Sequence, residues 1–189
     1  MLVFLNDNKF KNKGEFIMTK TMTNTDNQQL FREVMGNYPT GVTVITATDS
    51  NGNPVGLTVN SFASVSMDPL MVLWSIDHKV STLKTFTEGG KFAIHVLAGN
   101  QQELCKTFSS KNVDRFSMCD WDFSENQLPI IEGAFAVLEC KTFKAIEAGD
   151  HTVLIGDVTD IQMEKLDPML YHRRHFASIP AEFYETSKN

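Results

Sequence analysis

The chain has 189 residues, 42% of them hydrophobic, and a formal net charge of −6 at neutral pH. A single domain of that length buries roughly 70% of the surface that its unfolded chain exposes, so its core needs no disulfide or metal. The acidic balance argues against a nucleic-acid partner, and no apolar run approaches the ~20 residues of a membrane span.

The three cysteines, Cys105, Cys119 and Cys140, include no C-x-x-C pair, so neither a disulfide framework nor a zinc site is expected. The opening "MLVFL" is too short for a signal-peptide core, and a reducing, cytoplasmic setting is the expectation.

Residues 1–26 are rich in Asn, Lys and Thr without a sustained period, and are expected to be disordered or extended. One domain is expected over 27–180, with 181–189 as a tail. In "NQQLFREVMGNYPTG" the residues Leu30, Phe31, Val34 and Met35 fall at helical spacing, with Gly36 as the stop before a Pro-containing turn. The chain then turns mainly to β. "VTVITA" (42–47) is a β-branched strand, and Asn51-Gly52 marks a hairpin into "VGLTVNSF". "LMVLWSI" is the next strand, and residues 78–90 form a short helix closed by a glycine pair. "KFAIHVL" is a strand and residues 100–110 another short helix. Two long strands, 134–146 and 151–163, are joined by a tight "EAGD" turn and so pair antiparallel. Hairpin-linked strands with few helices predict a mainly β fold with short α-helices, an antiparallel barrel closed or half-closed and plugged by the helices.

Several familiar sites are missing. The sequence contains no G-x-G-x-x-G after a strand, no P-loop and no G-x-S-x-G elbow. "HRRH" places His172 and His175 three apart, which on a helix could share a metal. Without further ligands at a familiar spacing, a solvated basic helix end is the simpler expectation, and no metal site is assigned.

Two groups of residues carry chemistry. In "GLTVNSFASVSMDPLMVLWSI" an extended backbone points Thr58, Asn60 and Phe62 to one side, with Ser64 and Ser66 continuing the pattern. Such a row of short donors and acceptors suits the edge of a polar heterocycle such as an isoalloxazine; a Ser/Thr-rich edge strand or bulge with no ligand fits equally. In "AGDHTVLIGDV", Gly149 and Asp150 make a turn and His151 opens the following strand. A histidine there is more often an exposed bystander than a catalyst, and Asp150 either orients it or only caps the turn.

The segments "FREVMGNYPTGVTVITA", "GLTVNSFASVSMDP", "KFAIHVL", "AGDHTVLIGDV" and "DPMLYHRRHF", in this order, resemble the short-chain flavin reductase family. The resemblance covers about Leu30 to Phe176. It implies an FMN-binding split barrel, normally a homodimer with flavin near the subunit interface. It also implies reduction of FMN or FAD by NADH or NADPH, with the reduced flavin passed to a flavin-dependent monooxygenase. By position, flavin-ring contacts would fall on Leu57, Thr58, Asn60, Ser61 and Phe62. Phosphate and ribityl contacts would fall near Ser75, Val80, Ser81 and Thr82, with a further loop at Phe108, Ser109 and Ser110. The family's "GDH" histidine, which serves the nicotinamide cofactor, matches His151. Relatives usually carry a Tyr after the basic cluster where this chain has Phe176, which keeps stacking but loses a hydroxyl. The other readings are a reductase holding its flavin tightly and serving another acceptor, or a flavin-binding electron-transfer module without enzymatic activity.

Overall fold

The computed structural model describes residues 24–111 and 113–184. The expectations for residues 1–23 and 185–189 lie outside the described residues.

Helix α1 (Asn24–Asn37) begins before the expected start at Asn27 and runs through Gly36. It ends beside Pro39, because a residue preceding proline is steered out of the helical region. Asn37 closes the last turn by donating its side-chain amide to the Glu33 carbonyl at 2.8 Å. The apolar stripe does not enter the core: Phe31, Val34 and Met35 are all exposed.

The strands follow as β1 (Thr40–Gly41), β2 (Thr43–Thr48), β3 (Pro54–Val59), β4 (Ala63–Met67) and β5 (Leu70–Asp77). Helix α2 (Leu83–Glu88), β6 (Lys91–Val96), α3 (Gln102–Ser109), β7 (Trp121–Phe123) and β8 (Pro129–Ile131) come next. The chain closes with β9 (Ala136–Ala148), β10 (His151–Met163), β11 (Met169–His172) and β12 (His175–Ser178). The main sheet has seven strands in the order β3-β2-β6-β9-β10-β5-β4, all antiparallel. Its two edge strands, β3 and β4, are consecutive in sequence and separated only by residues 60–62. A linker that short spans at most about 14 Å, so the sheet must curl until its edges nearly meet. The result is the expected half-closed barrel, and its split lies at residues 60–62.

The sheet encloses a core in which Trp74 meets Phe86 and Phe92 edge-on, at ring-centroid distances of 5.2 and 5.7 Å. Gly156 makes this packing possible, since a Cβ there would lie 2.6 Å from the Phe92 ring. A second cluster, including Phe108, Phe116 and Tyr171, fills the space beneath α3. No helix among the described residues is long and apolar enough to cross a membrane.

The "HRRH" segment is a hairpin tip, not a helix end. Arg173 and Arg174 take φ of 49° and 67° between β11 and β12, and His172 pairs with His175 across the turn. The periodicity that prevails is twofold: Met169 and Tyr171 point into the second cluster, while Leu170 and His172 point away from it.

Candidate functional site

The split gathers most of the expected residues. β3 leaves its ladder with β2 after Val59, and β4 joins β5 only from Ala63, so Asn60, Ser61 and Phe62 lie outside both ladders. Asn60 is half-buried and Phe62 packs on the main core. Ser61 spans the gap: its Oγ accepts from the Ser75 N–H at 3.0 Å and donates to the Ser75 carbonyl at 3.2 Å. Ser75 lies on β5 beyond the end of its pairing with β4, and the Ser61 hydroxyl takes the place of the missing strand.

The polar row is divided between two tasks. Thr58 is buried and donates its hydroxyl to the Cys105 carbonyl of α3 at 2.9 Å, so this hydroxyl serves the fold. Leu57 is likewise buried, and Ser66 accepts from the Asp68 N–H at 3.2 Å. Ser64 is exposed on β4. The extended row expected from alternation therefore breaks at Asn60, where the strand ends.

After β5 the chain turns through Val80, Ser81 and Thr82 into α2. Val80 packs against the core, Ser81 is exposed, and the Thr82 hydroxyl is buried without a hydrogen-bond partner. A buried hydroxyl with no partner is costly, and an oxygen-rich ribityl or phosphate group would satisfy it. The Thr82 side chain does not cap α2.

Phe108 departs from its expected place. Its side chain is fully buried, stacked edge-on against Phe116 at 5.1 Å and lying over Gly56, so it packs the core instead of facing the split. Ser109 and Ser110 follow it toward the surface, both donating to the Lys106 carbonyl, at 2.9 and 2.8 Å. Phe176 sits on β12 with its ring 5.4 Å from that of Tyr171.

His151 opens β10, paired with Asp77 on β5 and Ala148 on β9. Its Nδ1 lies 2.7 Å from Asp150 Oδ1. That hydrogen bond holds the Asp150 carboxyl below the usual carboxylate range. Asp150 thus orients the ring, and its backbone carbonyl accepts from the His78 N–H at 3.0 Å. His78 itself reaches Thr152 Oγ1 at 3.1 Å. No spacing pattern in the sequence singled out His78. Arg115 also escaped the sequence reading, because its partners are the backbone carbonyls of Gly56 and Ser110, which no side-chain pattern reveals.

None of the thiols is poised for attack. Burial pushes Cys105 up to about 11 and Cys140 up to about 12, and it also raises Cys119. The site offers hydrogen-bonding edges and a histidine held by a carboxylate, but no activated nucleophile. It suits chemistry carried by bound rings more than covalent catalysis by the protein.

Known proteins share this sequence and architecture. The chain is 42% identical over 146 residues to the FMN reductase (NADH) of Agrobacterium fabrum, a match covering 77% of this chain and 83% of that protein. It is 39% identical over 142 residues to the reductase component of a flavin-dependent trigonelline monooxygenase from Acinetobacter baylyi, covering 75% of this chain and 46% of that longer protein. The NADH:FAD oxidoreductase of Streptomyces globisporus, solved in complex with NAD and FAD fragments, superposes with a TM-score of 0.78 at 35% identity. That match covers 86% of this chain and 98% of the other. The model of the flavin reductase like domain matches residues 35–180, and the chain belongs to that family.

Proposed function

We propose that this chain is an NAD(P)H:flavin oxidoreductase that reduces FMN or FAD and supplies the reduced flavin to a separate flavin-dependent monooxygenase. The observation that carries this reading is the split itself: three residues outside both ladders, held by Ser61 against Ser75, in a chain of this family. When bound, NAD(P)H supplies the hydride and the flavin accepts it.

The protein's part is to hold and orient. Free backbone groups of residues 60–62 and the Asn60 amide would meet the polar edge of the flavin ring, with Ser61 keeping the segment in place. Ser81 and the partnerless Thr82 hydroxyl would take its ribityl or phosphate oxygens. Ser109 and Ser110 would border the same groove. His151, steadied by Asp150, would position the nicotinamide cofactor. Donors aimed at the flavin edge favour negative charge there, which supports the reduced form.

The working unit is proposed to be a homodimer. Cross-strand pairs place Ser75, Val153 and Ile146 on one face of the sheet, with Leu73 and Ile155 beside them. Ile146 is 39% exposed and the others are half-buried, so a largely apolar sheet face, with Lys144 opposite Ile155, adjoins the split. A second copy seated there would cover both the patch and the flavin. The setting is proposed to be the reducing cytoplasm, which suits the three free cysteines.

Steady-state assays that cross NADH and NADPH with riboflavin, FMN and FAD test the activity. Sustained nicotinamide oxidation with added flavin in large excess over enzyme is the expected result. Flavin that stays bound through gel filtration, with no turnover of added flavin, would overturn it.

A further inference from the structure

Cys105, Phe108 and Arg115 are each strapped to β3. Thr58 donates to the Cys105 carbonyl at 2.9 Å. The Phe108 ring lies against Gly56, where a Cβ would come within 2.7 Å of it. Of Arg115, Nη1 donates to the Gly56 carbonyl, and Nη2 donates to the Ser110 carbonyl at 2.7 Å. β3 is an edge strand of the main sheet, so the guanidinium caps one of its carbonyls while gripping the loop that leaves α3.

We infer that Arg115 is a positioning residue that fixes the Ser109 and Ser110 loop beside the flavin site by joining the backbone of that loop to the strand that leads into residues 57–62. This role presupposes the flavin site proposed above and adds to it a residue that does not itself touch flavin. The planar fork of an arginine spans two carbonyls at once, whereas a lysine presents a single point charge and can satisfy only one of them well. The arrangement is held at a cost, since Arg115 Nε is buried without a partner. Gly56 completes the device, because any larger residue would push Phe108 off the strand and carry the loop with it.

The test compares wild type, Arg115→Met and Arg115→Lys by steady-state kinetics, with flavin and NADH varied separately, and by trypsin cleavage after the exposed Lys111 in the same loop. In Arg115→Met the flavin KM is expected to rise roughly tenfold, with a smaller change in kcat and in the NADH KM. Arg115→Lys is expected to fall between the two. Saturating FMN is expected to slow cleavage after Lys111 in wild type and to protect far less in Arg115→Met. If Arg115→Met fails to fold, Arg115→Lys carries the comparison, and a wild-type flavin KM in that variant overturns the role. Equal rises in both KM values, or no protection of Lys111 by FMN in wild type, also overturn it. If wild type turns over flavin while the flavin KM of a folded Arg115→Met is unmoved, only the role of Arg115 falls. If wild type neither binds flavin nor oxidises NADH, the flavin site falls and this role with it.

Discussion

The Ser61 hydroxyl meets the Ser75 backbone twice, accepting from its N–H at 3.0 Å and donating to its carbonyl at 3.2 Å. One side chain thereby does for β5 what a neighbouring strand would do, at the point where the barrel fails to close. Ser61→Ala leaves both backbone groups without that partner and frees the segment that would face the flavin. The expected loss is about 1–2 kcal/mol of unfolding free energy, measured by denaturant titration, together with weaker flavin binding in a fluorescence titration. Lost stability with unchanged flavin affinity would mean that Ser61 only repairs the sheet.

His151 and Asp150 make a pair with a different signature. Because the hydrogen bond from His151 keeps the Asp150 carboxyl below its usual range, it stays a carboxylate acceptor throughout the neutral region. His151→Ala should therefore raise the nicotinamide KM, roughly tenfold, and raise it more than the flavin KM. Asp150→Asn keeps an oxygen for Nδ1 but removes the charge, so a shift of the same kind and smaller size is expected, on the order of a few-fold. Kinetics with each substrate varied in turn would check both. A matching rise in the two KM values would remove His151 from the nicotinamide side.

How far the site could be read from the residues depended on where their partners lie. The strands of the barrel were legible because β-branched runs, the Asn51-Gly52 turn and the "EAGD" turn are local signals, and the pairing of β9 with β10 follows from them. The Asn60 to Phe62 segment stood out by composition, yet the uses of its neighbours did not. Thr58 and Ser61 are alike in sequence, but one hydroxyl holds α3 and the other holds β5, a division set by which backbone lies opposite in space. Phe108 looked available as a loop residue and proved to be core, because its helix presses it onto Gly56. "HRRH" misled for a related reason: spacing of three suggests a helix, while burial of Met169 and Tyr171 on alternate positions imposes a hairpin.

His95 predicts an acid sensitivity that is independent of the site. It is fully buried, accepts from the Ile131 N–H through Nε2 at 3.0 Å, and so presents its Nδ1 proton to the Val44 carbonyl at 3.1 Å. Burial pushes its pKa down from 6.5 to about 4. The neutral ring is thus favoured in the folded state, and its contribution is fully present above pH 6.5. As pH falls from 6.5 toward 4 the unfolded chain takes up the proton first, and roughly 3 kcal/mol of stability is lost across that window. Below it both states are protonated and the loss levels off. Unfolding free energies measured across this range, compared with those of His95→Asn, should isolate the term. Parallel curves for the two proteins would show that His95 does not titrate in this way.

The exposed sheet face leads to a prediction about assembly that also bears on the flavin. Val153 lies opposite both Ser75 and Ile146, so the apolar patch and Ser75, the residue that Ser61 grips, share one surface of the sheet. A charge placed within that patch costs little in an isolated chain, since Ile146 is already 39% exposed there. Against a second copy the same charge would be taken out of water, at a cost of several kcal/mol. Wild type should sediment at twice the 21.2 kDa of one chain, and Ile146→Asp should shift it to the single-chain mass. Because the second copy would also cover the split, flavin affinity should fall in the same variant while the unfolding midpoint, extrapolated to low protein concentration, changes little. Wild type sedimenting as one chain would refute the assembly. A monomeric Ile146→Asp with unchanged flavin affinity would leave the dimer in place but separate it from the flavin site.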